Sequence, residues 1–228
     1  MKAILLRSAA VITLLTAAVH GQTINWGSEA FSTLVDSHNV ELNSSYTFQL
    51  GAFNTGFDPI TSNPLLWIAS WRVYDAAEYN QANGYFTSTV DMNNDGSSGS
   101  ADRSDALAFT GAAYLWIRNS NVAESTSSEW LLVRSSSWNF PAPSSHCCDP
   151  ALPFEWSVSD LAVADVPVYG AQDGSNYTVQ KGGGVISTPP PPGTYLQTAT
   201  FVPELSSSVL IVILGMLGLT DRRRTWRA

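Results

Sequence analysis

The strongest constraint on the fold is the shortness of the apolar stretches between residues 22 and 201. Residues 113–118 and 129–134 are apolar runs closed by Arg118 and Arg134, while residues 46–51 and 154–158 alternate apolar with polar positions. Stretches this short suit strands better than helices, and period-two alternation marks a half-buried sheet. Residues 84–90 read as a further strand and 195–201 as the last one. Residues 166–169 read as an edge strand, because Pro167 cannot donate to a ladder. Gly, Asn, Asp and Pro separate these stretches. The pattern predicts an all-β body, an antiparallel sandwich or jelly-roll-like arrangement of short strands.

Residues 65–79 read differently. Leu65, Ile68, Ala69, Val73 and Ala76 recur at helical spacing, and Asn63 followed by Pro64 is a helix start. One short helix packed on the sheet is expected there. Residues 170–193 collect Gly182, Gly183, Gly184 and the prolines from Pro189 to Pro192, which suits either a long loop or a part-flexible, part-stiff spacer.

Residues 22–201 hold 17 of the 19 acidic and 5 of the 11 basic residues, a net charge of −12. An acidic body of this kind excludes ordinary nucleic-acid binding, which needs clustered Lys and Arg against phosphates. Its length suits a single domain with one sizeable core. Two cysteines, Cys147 and Cys148, exclude a disulfide-dense scaffold. Being adjacent, they can form only a strained vicinal bridge, remain free, or bond to another molecule.

The two ends are unlike the body. Lys2 and Arg7 precede an apolar run over residues 9–19, and small residues follow, the three parts of a secretory signal. Eleven apolar residues rise about 16 Å as a helix, too short for a hydrocarbon core of about 30 Å. Cleavage is expected between Gly21 and Gln22. At the other end, residues 205–219 would form a helix of about 22 Å, marginal for spanning. Its apolar side chains are Val209, Leu210, Ile211, Val212, Ile213, Leu214, Leu217 and Leu219, and Arg222, Arg223, Arg224 and Arg227 follow. The positive-inside bias keeps those arginines cytoplasmic and leaves the body outside, the topology that the N-terminal signal also gives.

A short motif, a marginal helix and a terminal arginine cluster together resemble the PEP-CTERM sorting signal of Gram-negative bacteria. The motif positions here are Val202, Pro203, Glu204, Leu205 and Ser206, with Leu205 where the family's pattern has a second proline. The resemblance covers residues 202–228 alone. It implies an exosortase-like processing enzyme as partner, attachment to the inner membrane, and delivery to the cell surface or an exopolysaccharide matrix. A plain anchor would share the helix and arginines but leave the Val-Pro-Glu motif accidental. A GPI signal would share the small serines, but such tails usually end apolar.

Within the body, Asp91, Asn93, Asp95 and Gly96 match the first half of a calcium loop, with Asp102 at its twelfth position. Alternate oxygens can face one ion there while glycine permits the sharp turn; a plain turn has the same composition. No Gly-x-Ser-x-Gly elbow, Walker loop or dinucleotide fingerprint occurs. Seven of the eight tryptophans lie in the body. They read as core or as a sugar-stacking platform, with Trp138 the one expected to be exposed. The expectation is therefore a non-catalytic, exported, membrane-held protein without a resident cofactor. The alternatives are an extracellular carbohydrate- or calcium-binding module and a surface glycan-active enzyme.

Overall fold

The computed structural model describes residues 22–30, 32–122, 127–142, 152–162, 165, 167–172, 179–181, 184–186 and 195–200. In chain order the strands begin with β1 (Thr23–Gly27), β2 (Thr33–Val35) and β3 (Thr47–Phe53). A 3-10 turn (Pro64–Leu66) runs into α1 (Trp67–Ser70), followed by β4 (Trp71–Ala77), β5 (Tyr79–Asn80) and β6 (Tyr85–Asp91). Next come β7 (Gly111–Ala112), β8 (Tyr114–Arg118), β9 (Glu129–Val133), β10 (Asn139–Phe140) and β11 (Phe154–Ser157). The last are β12 (Ala171–Gln172), β13 (Val179–Lys181), β14 (Gly184–Ile186), β15 (Tyr195–Gln197) and β16 (Ala199–Thr200).

Two sheets enclose the main core. One has the order β16-β9-β8-β3-β4 and is antiparallel throughout; the other has the order β11-β1-β6-β5, with β1 and β11 parallel. Phe48, Leu50, Leu115, Ile117, Leu131 and Val133 of the first sheet share a buried cluster with Ile24, Trp26, Phe86 and Val90 of the second. The chain is thus all-β, mostly antiparallel, with one short helix. A smaller sheet, β12-β15-β2, pairs β15 with β2 in parallel.

β8 and β9 are buried at every position, and apolar at all but Arg118 and Glu129, because both faces of that sheet are covered. On the outer face, Phe53, Trp67, Trp71, Tyr114, Trp116, Trp130 and Leu132 form a second buried cluster, with Phe57 and Ile68 packed against it. The cover is a flap, residues 54–70, whose ends are tied by Asn54 N donating to Ser70 O at 2.8 Å. Gly51 is the position that lets the start of β4 come close to β3: a Cβ there would stand 2.2 Å from Arg72 O and 2.6 Å from the Trp71 ring. Trp71 crosses that bare backbone and its indole N–H donates to Gln49 Oε1 at 3.1 Å.

The expected helix over 65–79 is mostly strand. Asn63 caps Leu65 N at 2.9 Å and Pro64 occupies the first turn, but the helix ends at Ser70. From Trp71 the chain pairs with β3, and the register slips between Leu50 and Gly51, the mark of a bulge. Trp71 and Val73 therefore reach the outer cluster while Tyr74 joins the main core. The bulge breaks the period of two, and the broken period imitated helical spacing.

The expected last strand is divided. β15 lies in the small sheet and β16 at the edge of the five-stranded one, with Thr198 at the crossing. Of the expected edge strand at 166–169, the described residues 167–169 give less than a strand: Tyr169 forms an isolated bridge with Leu132. Part of the expected spacer is also paired, since β12 lies along β15, and β13 and β14 form a hairpin.

Candidate functional site

The densest polar constellation is one the sequence did not single out. Glu129 opens β9, is 6% exposed, and collects donors from three distant segments. Its Oε1 accepts from Ser37 Oγ at 2.6 Å, and its Oε2 accepts from Ser37 N at 3.1 Å, Tyr46 OH at 3.0 Å and Thr198 Oγ1 at 2.5 Å. Burial alone would raise this carboxyl, but the hydrogen bonds from Ser37, Thr198 and Tyr46 outweigh it, and Glu129 titrates below its ordinary value. The Tyr46 phenol is pushed upward, first by burial and then by the Glu129 charge.

Beside it, Asp36, His38 and Glu129 offer ligand atoms within 4.8 Å of one another. The arrangement is built to lock chain segments. Asp36 Oδ1 accepts from His38 N at 2.8 Å and Val40 N at 2.9 Å, closing a turn that holds Asn39 at φ 63. His38 Nδ1 lies 3.6 Å from Glu129 Oε1, with an exposed side chain. Ser37 Oγ lies 3.2 Å from that ring nitrogen and receives Thr200 Oγ1 at 3.1 Å. In a hydrolase triad the histidine stands between serine and acid. Here the serine donates to the acid directly, so its proton is not passed to the imidazole. Both Glu129 oxygens are occupied by donors, which suits a junction between β9, β3 and the closing strands.

The calcium loop expected at Asp91, Asn93, Asp95 and Asp102 is a tight hairpin. Met92 bridges Ser98, Asn93 N donates to Ser97 O at 2.8 Å, and Gly96 turns at φ 81. Asp91 faces across the sheet and accepts from Thr23 Oγ1 at 2.7 Å. Asn93 Nδ2 donates to Ser97 Oγ at 2.9 Å, spending that amide on closing the turn. Asp95 Oδ1 accepts from Ser97 Oγ at 2.6 Å and Ser97 N at 2.9 Å, bonds that hold its carboxyl below the ordinary value. Asp102 is exposed. The structure does not bring Asp91, Asp95 and Asp102 together among the described groups whose ligand atoms gather within 4.8 Å.

The seven tryptophans of the body are core. Trp26, Trp67, Trp71, Trp116, Trp130, Trp138 and Trp156 are all buried, so no Trp row faces solvent on a sheet. Trp138, expected to be exposed, is 3% exposed, because its indole N–H donates to Asp160 Oδ2 at 2.9 Å and its ring joins the main core. At one end of the outer face, Phe53, Phe57 and Tyr114 line a cavity of about 280 Å³ with Arg72, Asn54 and Thr110 on its rim. Arg72 is held there by a two-pronged pair with Asp105, at 2.8 Å and 2.6 Å, and Asp105 is lowered to about 2.

Gln22, the residue expected to follow cleavage, is engaged in the body: its carbonyl accepts from Met92 N at 2.7 Å. Gly21, the motif Val202, Pro203, Glu204, Leu205 and Ser206, the apolar segment from Val209 to Leu219, the arginines Arg222, Arg223, Arg224 and Arg227, and Cys147 with Cys148 lie outside the described residues. Among the described residues, no helix is long and apolar enough to cross a membrane. The chain matches no known protein family, no curated protein and no solved structure.

Proposed function

We propose that this is an exported, membrane-anchored protein of the cell surface or exopolysaccharide matrix. An exosortase-like enzyme sorts it, and its folded body is non-catalytic cargo. The observation that carries the reading is the order of features at the C-terminal end. The last described strand, Ala199–Thr200, pairs with Glu129 and Trp130, and the motif begins two residues later at Val202. A body closed by a sheet strand immediately before a sorting motif leaves that motif available to an enzyme. We further read the two facing sheets as a jelly-roll-like sandwich, because β4 leaves one sheet and β5 and β6 enter the other across a single residue, Glu78.

The test is intact mass of the mature protein from its host, in the parent and in a Pro203→Ala, Glu204→Ala variant. Loss of residues 1–21 in both, and trimming near the motif in the parent alone, is the expected result. A variant with parental mass and location would end the sorting claim. A second reading, an extracellular carbohydrate-binding module on the same anchor, is favoured by the cavity of about 280 Å³, where Phe57 and Tyr114 meet Arg72, Asn54 and Thr110. That size is close to the lower end for small-molecule sites.

A further inference from the structure

We propose that the flap, residues 54–70, is the surface by which the folded body rests against the membrane that holds its tail. The inference rests on the anchor reading above and adds where the body meets lipid. Three large apolar side chains stand outward on this one loop: Ile60 is 69% exposed, Leu65 40% and Leu66 55%. Single exposed leucines are ordinary on protein surfaces, but these three fall within seven residues of a fixed element. They cannot turn inward, because the space beneath is filled. Trp67 is 1% exposed and its ring meets those of Phe53, Trp116, Trp130 and Tyr169 at centroid distances of 6.0 to 6.3 Å.

Charge points the same way. The body carries −12, and an acidic surface is repelled by anionic lipid headgroups. The flap has a single ionisable residue, Asp58, whose carboxylate accepts from Ile60 N at 3.0 Å and Thr61 Oγ1 at 2.9 Å. Its outward side therefore sets three large apolar side chains among uncharged polar ones (Asn54, Thr55, Thr61 and Asn63) with one charge, a mix that suits the boundary between headgroups and acyl chains.

The flap also overlaps the exit of the tail. Trp67 lies 6.0 Å from the Tyr169 ring, and Tyr169 OH donates to Thr200 O at 3.0 Å. Residues 201–208 separate Thr200 from the apolar segment that starts at Val209. Fully extended, they span at most about 30 Å. A tether that short holds the body at high effective concentration beside the bilayer, so a weak apolar contact is enough to orient it.

The test uses the full chain, with Cys147→Ser and Cys148→Ser, reconstituted in vesicles of phosphatidylethanolamine and phosphatidylglycerol. An environment-sensitive fluorophore is placed at Leu66→Cys or, as a control, at Leu152→Cys, an exposed apolar position beside β11 in the other sheet. The Leu66 probe should shift to the blue on reconstitution and be quenched by brominated lipid, while the Leu152 probe does neither. Ile60→Ser with Leu65→Ser should remove most of the shift and leave the chain in the membrane pellet. A pelleted chain whose Leu66 probe still reports water overturns the inference and leaves the anchor standing. A chain that stays in the supernatant overturns both. A blue shift that appears without vesicles and grows with protein concentration makes the flap a contact between copies and overturns the membrane assignment.

Discussion

The two faces of the five-stranded sheet are both buried, yet they are filled by different kinds of residue. The inner face carries Phe48, Leu50, Leu115, Ile117, Leu131 and Val133 against a second sheet; the outer face carries Phe53, Trp71, Tyr114, Trp116, Trp130 and Leu132 beneath the flap. A facing sheet brings a continuous apolar layer about 10 Å away, which mid-sized side chains can fill. A loop with one helical turn brings only Phe57, Trp67 and Ile68, so the sheet itself supplies wide rings, each able to bury roughly 150–250 Å². Polar groups follow the same division. The inner carboxylate Asp75 receives Trp26 Nε1 and Ser88 Oγ, both at 2.7 Å, although the Tyr74 hydroxyl lacks a partner among the described residues. Among the described residues, the outer face leaves Trp67 Nε1, Trp116 Nε1, Arg118 Nε and Arg118 Nη1 without acceptors. Ring packing, more than hydrogen bonding, is what holds the flap down.

Neighbouring residues of β9 separate the two faces most directly. Trp130→Ala empties the outer cluster and should cost about 3–5 kcal/mol, while Leu131→Ala empties the inner one at about 2–5 kcal/mol. Urea midpoints would give both values, and limited proteolysis distinguishes them. Trp130→Ala should release the flap to cleavage under conditions where the body stays folded. If Leu131→Ala frees residues 54–70 to the same degree, the faces are not independent and the comparison fails.

Glu129, the first residue of the same strand, sets a smaller effect. Glu129→Gln keeps the size but turns an amide donor toward Ser37, Tyr46 and Thr198, and should cost about 2 kcal/mol in thermal or urea unfolding. The folded carboxyl lies below its ordinary value, so its contribution is present above the unfolded value of about 4.3 and disappears as pH falls through the lower folded value. The parent should therefore lose stability on the acid side faster than Glu129→Gln does. Parallel acid limbs for the two proteins would show that the junction is not sustained by that charge.

How much of this was legible in the sequence depends on the range of the contacts involved. β3, β8, β9 and β11 stand where alternation and apolar runs put them, because one strand's pattern is local. The strand at Trp71–Ala77 was hidden by a bulge, a feature set by how β3 and β4 register. The Glu129 junction was hidden for a related reason: its partners Ser37, Tyr46 and Thr198 lie 92, 83 and 69 positions away. A lone acid at the head of an apolar run was the only local sign of it. The buried tryptophans show a further limit, since a ring under a flap and a ring on an open platform have the same sequence signature until the flap is seen.

Arg118 gives the smallest predicted effect and the sharpest use of the comparison. It is 7% exposed, stacks 4.1 Å over the Trp116 ring, and donates through Nη2 to Gln49 Oε1 at 2.8 Å. No carboxylate among the described residues pairs with it, and burial lowers its pKa to about 10. A buried cation with one hydrogen-bond partner carries its desolvation cost with little return, so a methionine of similar length should be tolerated. Gln49 would still receive Trp71 Nε1 at 3.1 Å, so the substitution leaves no new acceptor unpaired. Arg118→Met is therefore expected to lie between no change and about 1 kcal/mol of added stability, measured by urea unfolding. A loss of about 2 kcal/mol or more, the scale of a charged hydrogen bond, would mean that the guanidinium helps hold the outer rings in place. The flap would then be secured by a cation as well as by packing.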